Sequence, residues 1–160
     1  MEIEFLNGCE HSEEIAPLFA EYTAMLVAGD PRFQAYLDLQ NYYDELKNPE
    51  HKYGLPGGRL YLVRANGEAA ACIALRRMDA ERCEMKRLYV RPAFRGNGIA
   101  GRLVRRVTED ARAVGYRAML LDTLPFLTDA IRLYRGLGFY EIPCYNDNPL
   151  DDSIYLQLDL

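Results

Sequence analysis

Residues 91–103 read RPAFRGNGIAGRL, and two descriptions fit them. Gly96, Gly98 and Gly101 satisfy G-x-G-x-x-G, the pattern of a dinucleotide-binding turn. Counted from Arg95, the same letters give R-G-N-G-I-A, a cradle for a different anion. The physics is shared. Small residues let the backbone approach a pyrophosphate, and the free amides and dipole of a helix start favour negative charge. The folds differ. A dinucleotide turn needs its first glycine at the end of a strand, within parallel units, and an acid about 20 residues on. Asp122 can pass as that acid, but Arg91–Arg95, Pro92 among them, separate the preceding strand from Gly96.

What surrounds the loop also speaks against parallel units. RLYLVRA (59–65) and the strand ending AAACIALRR (69–77) flank Asn66-Gly67, a two-residue hairpin signal, and CEMKRLYV (83–90) follows after a short turn. That is an antiparallel meander. Downstream come a helix from about Gly98 to Val114, a compact apolar strand RAMLLDT (117–123), a helix within 126–139, and two last strands, FYEIPCY and SIYLQLDL. No room is left for a second mononucleotide half. Upstream, IEFLN reads as a strand. Ile15, Leu18, Phe19, Tyr22 and Leu26 give a helical face, with Ser12 as its cap and Pro17 near its start. RFQAYLDLQNYYDELKN (32–48) reads as one second helix, and Pro49–Gly58 as a loop. The order β-α-α-β-β-β-α-β-α-β-β describes a single α/β domain over residues 1–160, with helices flanking a mixed, mostly antiparallel sheet.

At 160 residues the chain is one domain's worth, able to bury roughly 70% of its unfolded surface. The N-terminus lacks a basic segment followed by an apolar run, and no stretch approaches the ~18 apolar residues of a membrane span. A cytoplasmic protein is expected. Cys9, Cys72, Cys83 and Cys144 are scattered, with no C-x-x-C and no histidine nearby at ligand spacing, so reduced thiols and no metal are expected. The net charge of −5 hides a strip from Lys86 to Arg106 that carries seven cations and no acid, leaving −12 elsewhere. An acidic protein is a poor nucleic-acid binder, whereas a local basic strip beside a glycine loop suits a small polyphosphate. Arg102, Arg105 and Arg106 also read as a solvated helix face.

Three motifs together resemble the GNAT superfamily of acetyl-CoA-dependent N-acetyltransferases. R-x-x-G-x-A is met by Arg95, Gly98 and Ala100, with an extra glycine at Gly96; L-x-V-x-P by Leu88, Val90 and Pro92; and A-x-x-x-Y-x-x-x-G-F by Ala130, Tyr134, Gly138 and Phe139. The resemblance is specific from Glu84 to Phe139. It implies acetyl-CoA as cosubstrate, held by Leu88, Tyr89, Val90, Arg95, Gly96, Asn97, Gly98, Ile99 and Ala100. It also implies that the strand ending at Val90 splays from 117–123, with a backbone amide near Leu88 or Tyr89 facing the thioester oxygen. Many members have an asparagine three residues before the motif alanine; here Leu127 stands there.

The resemblance further implies Tyr134 as proton donor to the leaving thiolate and Glu84, eleven residues before Arg95, as base. Tyr134 also lies on an apolar helical stripe, and Glu84 can equally be a strand glutamate paired with Lys86 or an arginine. A water relay is the alternative base. In this fold the acceptor side is built from the first helices and the loop between the last strands. The first region offers Phe33, Tyr36, Tyr42 and Tyr43, and the second Asp147, Asp151 and Asp152, aromatic and acidic groups suited to a cationic amine. Tyr36 and Asp147 are the candidates for substrate contact. The acceptor is a small-molecule or protein amine, with neither nucleic acid nor membrane as partner, and a homodimer is compatible with the resemblance. A non-catalytic acyl-CoA sensor or interaction module is the alternative function.

Overall fold

A computed structural model describes residues 1–160. One seven-stranded sheet organises the chain in the order β1-β2-β3-β4-β5-β7-β6. The strands are β1 (Ile3–Asn7), β2 (Arg59–Ala65), β3 (Glu68–Arg77), β4 (Arg82–Val90), β5 (Ala118–Thr123), β6 (Tyr140–Ile142) and β7 (Ile154–Asp159). Every neighbouring pair is antiparallel except β4 and β5. The mixed, mostly antiparallel α/β architecture expected from the sequence is therefore present. No helix is long and apolar enough to cross a membrane.

The β2–β3 turn forms where Asn66 and Gly67 both take positive φ, 49° and 83°, the backbone of a two-residue turn whose twist matches the strands it joins. Helix α1 (Ser12–Gly29) buries Ile15, Leu18, Phe19 and Leu26 on one face. It starts at Ser12, so Ser12 is the first helical residue rather than its cap, and His11 precedes it without a capping side chain. Pro17 lies inside the helix.

The second predicted helix is two short ones, α2 (Phe33–Leu39) and α3 (Tyr42–Lys47), and a third short helix follows them, α4 (Glu50–Tyr53). Asn41, at φ 54°, breaks the first from the second in a left-handed conformation that asparagine tolerates. The third occupies part of the stretch read as a loop, and Tyr53 anchors it by packing edge-on against Phe19. Helices α5 (Ile99–Val114) and α6 (Thr128–Gly136) complete the fold.

The sheet has two covered faces. On one, α5 presses Leu103, Val104, Val107 and Ala111 against Val63, Ile73, Met85, Met119, Leu121 and Leu156, with Tyr134 of α6 in the same cluster. On the other, α1 packs Ile15, Leu18 and Phe19 onto Leu62, Cys72, Ala74 and Tyr89. A third cluster joins α1 and α2 to Leu124 and Leu150. Full burial of one Leu or Phe contributes roughly 1.5–3 kcal/mol, so these layers hold the sheet between its helices.

Candidate functional site

Strands β4 and β5 pair only over Arg82–Ala118, Cys83–Met119 and Glu84–Leu120. Beyond Glu84 and Leu120 their ladder stops, although both strands continue. A bulge in β4 contributes to the parting. Lys86 faces Ala74 and Tyr89 faces Cys72, so Arg87 and Leu88 together oppose Ile73. Arg87 takes a φ of 61°, rare for a side chain with a Cβ and costing roughly 1–3 kcal/mol. A buried ion pair holds it there. Its Nε donates to Glu45 Oε2 at 2.6 Å, and its Nη2 donates to Glu45 Oε1 at 3.1 Å and to Gln40 Oε1 at 2.7 Å. The side chains of Arg87 and Glu45 are 3% and 0% exposed. Burial opposes Glu45's charge, but Arg87 and Lys52 outweigh it and hold the carboxyl at about 2. Helices α2 and α3 are thereby tied to the strand that borders the gap.

A cavity of about 490 Å³ occupies the gap and extends to the glycine loop. Met85–Val90 of β4, Leu121–Thr123 of β5, Gly96, Gly98–Gly101, and Leu127–Ala130, Leu133 and Tyr134 of α6 and its entry line it. Gly96 and Gly98 have φ of 79° and 74°, and a Cβ built on either would meet nothing within 4 Å. The loop thus presents bare backbone to open space at the start of α5. The amides of Ile99, Ala100 and Gly101 have no backbone acceptor, since the first helical bond runs from Arg102 N to Gly98 O. This is the geometry of an anion cradle. Arg95 stands over it, its Nε donating to Val90 O and its guanidinium 5.8 Å from the Tyr89 ring.

Of the predicted cosubstrate residues, Leu88, Tyr89, Val90, Arg95, Gly96, Gly98, Ile99 and Ala100 lie on the cavity wall. Asn97 does not; its amide donates to Phe94 O and Arg95 O and shapes the loop from outside. Leu127, Thr128 and Asp129 line the wall where the family's asparagine is commonly found. The basic strip has several uses. Arg91 pairs with Glu21 at 2.7 Å, and Arg102 and Arg106 lie over the Phe5 ring.

Tyr134 is 6% exposed, lines the cavity, and makes no hydrogen bond through its hydroxyl to any protein group. Burial pushes its pKa well up, so it remains a neutral donor. Glu84 lies away from the cavity wall. It is 2% exposed, accepts from Arg76 Nε at 2.7 Å and from Tyr145 OH at 2.5 Å, and lies 3.7 Å from Lys86 Nζ. Burial would raise its pKa, but the charges of Lys86 and Arg76 and these hydrogen bonds hold it below the ordinary value. The geometry is that of the paired strand glutamate.

Tyr36 lines the cavity and donates to Asp122 Oδ2, while Asn146 Nδ2 donates to both Tyr36 Oη and Asp122 Oδ2 at 2.9 Å. Asp147 is exposed and off the wall; its neighbour Asn148 lines it instead. Asp151 and Asp152 pair with Arg32. Sequence reasoning passed over Asp122 as a site residue, having weighed it only as a ribose-binding acid. The available signal was its place at the end of an apolar strand beside the predicted gap.

The clusters show which face of the sheet each group occupies. Leu121 packs under α5, so Asp122 points to the opposite face. Lys86 lies directly across from Ala74, which packs under α1. Tyr134 and the glycine loop therefore approach the gap from the α5–α6 face, and Tyr36, Lys86 and Asp122 from the α1–α4 face.

A sequence profile described as the acetyltransferase (GNAT) family matches residues 19–139. An N-acetyltransferase of Schizosaccharomyces pombe, uncharacterised in function, is 40% identical over 126 residues, 78% of this chain and 77% of its own. A GNAT-family acetyltransferase of Staphylococcus aureus superposes with a TM-score of 0.77 at 21% identity, covering 99% of both chains. One from Elizabethkingia anophelis, solved with acetyl-CoA bound, superposes at 0.56 with 27% identity over 65% of this chain and 77% of its own. With the profile spanning most of its length and the Schizosaccharomyces relative covering 78% of it, this chain belongs to the GNAT family of acetyltransferases and is an acyltransferase.

Proposed function

We propose that this protein transfers an acetyl group from acetyl-CoA to a primary amine by direct attack in a ternary complex. The observation that carries the reading is the two-sided gap between β4 and β5. A pyrophosphate cradle and Tyr134 lie toward one face, and a polar, open wall lies toward the other. Cosubstrate and acceptor enter from opposite sides and meet between the strands, so neither must leave before the other binds.

The pyrophosphate rests on the amides of Gly98 to Gly101 with Arg95 above, and the pantetheine arm runs along Leu88–Val90. The amine nitrogen's lone pair attacks the thioester carbon. A β4 amide at the bulge, near Leu88 or Tyr89, receives the oxyanion. The C–S bond then breaks, its electron pair stays on sulfur, and Tyr134 donates to the thiolate. An amine with a pKa near 10 must shed a proton before attack and a second after it. Glu84, held ionised by Arg76 and Lys86 and off the cavity wall, is a weak base in the wrong place, so water carries these protons away, one to solvent and one to restore Tyr134. The net change is ammonium plus thioester to amide, thiol and one proton.

The test is a thiol-release assay with acetyl-CoA and a panel of amines, beside a melting-temperature shift on acetyl-CoA. Thiol release that needs an amine, with stabilisation by CoA and none by NAD(P), is the expected result. CoA binding without turnover on any amine would leave the sensor role in its place.

A further inference from the structure

Lys86 and Asp122 each lie two residues beyond the last paired rung, Glu84–Leu120. They are therefore the first same-face pair across the opening, one on each lip, where the strands stand farther apart than the ordinary 4.7–4.9 Å. The Lys86 side chain is only 8% exposed, lines the cavity, and its Nζ donates no hydrogen bond within the protein. Its nearest countercharge, Glu84 at 3.7 Å, is already engaged by Arg76 and Tyr145. Asp122 is half-satisfied in the same way. Tyr36 and Asn146 occupy Oδ2, and Oδ1 has no protein partner. The wall's other cations are engaged, Arg87 with Glu45 and Gln40, and Arg95 through its Nε with Val90 O. The Lys86 ammonium and the open Asp122 oxygen thus both face the cavity with hydrogen-bonding capacity to spare, and a ligand with an acceptor for one and a donor for the other would engage both.

We propose that the acceptor is a small zwitterion, an α-amino acid, whose carboxylate is received by Lys86 Nζ and whose α-ammonium is received by Asp122 Oδ1. A zwitterion carries its two charges close together and in opposite sign, which matches one cation and one anion on facing lips. That nitrogen, once it has shed a proton to water, is the nucleophile, placed in the gap opposite Tyr134. A polyamine or a protein lysine would bring positive charge to Lys86 with nothing to neutralise it. The inference rests on the transferase reading and narrows it.

The test compares kcat/KM for L-amino acids with those for the matching amino-acid amides and decarboxylated amines, at saturating acetyl-CoA. The free carboxylate should be worth about 10- to 100-fold, the yield of one hydrogen bond between charged groups. In Lys86→Met that preference should disappear through KM, with the acetyl-CoA dissociation constant retained, which also shows that the variant is folded. Asp122→Asn should weaken amino acids and amides alike. Equal efficiency on amino acids and amides in the unaltered protein, or an unchanged preference in Lys86→Met, would overturn the inference and leave the transferase standing. Acetyl-CoA binding with no thiol release from any amine would overturn both.

Discussion

Replacing Glu45 by glutamine isolates the ion pair beneath the β4 bulge. The substitution keeps the side chain's size and removes its charge, leaving Arg87 cationic, 3% exposed, with Gln40 as its remaining strong acceptor. Breaking a buried pair from one side costs roughly 3–5 kcal/mol. The depressed pKa of Glu45 expresses the same interaction in another form. A carboxyl at about 2, against an ordinary 4.5, is stabilised by about 3 kcal/mol in its charged form. Because the folded value is depressed, this stability is full above the unfolded value and is lost as pH falls from about 5 toward 2. For 160 residues, 3–5 kcal/mol lowers the melting temperature by roughly 9–15 °C. Urea unfolding at pH 7 and pH 4 reads both effects: Glu45→Gln should lose stability at pH 7 and show a flatter decline toward acid. The double variant Glu45→Leu with Arg87→Met should recover most of the loss, since apolar side chains of similar size fill such a site well. A loss below about 1 kcal/mol in Glu45→Gln, or an unaltered acid profile, would refute the assignment.

Tyr134→Phe should leave acetyl-CoA affinity unchanged and lower kcat by about 10²-fold, measured on one amine. The figure is at the low end for a positioned acid because burial makes tyrosinate costly, so the hydroxyl shares its proton with sulfur more than it surrenders it. Gly98→Asp should abolish CoA binding in calorimetry, since it sets a carboxylate where phosphate rests and forces a side chain into φ 74°. With a thiol reagent, exposed Cys144 should react at once, whereas buried Cys72 and Cys83, their pKa values raised by burial, should react only on unfolding.

Local signals carried most of the fold. Asn66-Gly67 marked its hairpin because both residues accept positive φ, and the α5 face followed from helical spacing. The one helix that fractured did so at Asn41, a residue that also sits quietly in helices, so its left-handed turn had no distinguishing letter. The glycine loop was legible because an anion cradle is backbone chemistry, encoded in the closely spaced Gly96, Gly98 and Gly101. The acceptor side was less so. Whether Arg87 belongs to an anion site or to the core depends on Glu45, 42 residues away, and on a bulge that reverses the strand's alternation. Glu84 illustrates the same limit. Its distance from Arg95 suited a base, but Arg76 and Tyr145 come to it from another strand and a distant loop. Asp122 needed the ladder's end point before it could be seen as half of a pair.

That end point also makes β4 and β5 a pair of levers. Their three rungs are the only backbone pairing between the four-stranded half, β1 to β4, and the three-stranded half, β5 to β7. From Glu84 to Val90 β4, paired with β3 on its other side, carries the edge of its half six residues past the rungs, about 20 Å at the strand rise. A rotation of about 5° at the rungs would therefore shift its tip by roughly 1.7 Å, more than the length of one carbon–carbon bond. A small change in packing around Met85, Met119 and Val107, near the pivot, is multiplied at the far end, where the glycine loop begins. Substitutions near the fulcrum, at Met119 or Val107, which do not line the cavity, can therefore set how wide the jaws stand.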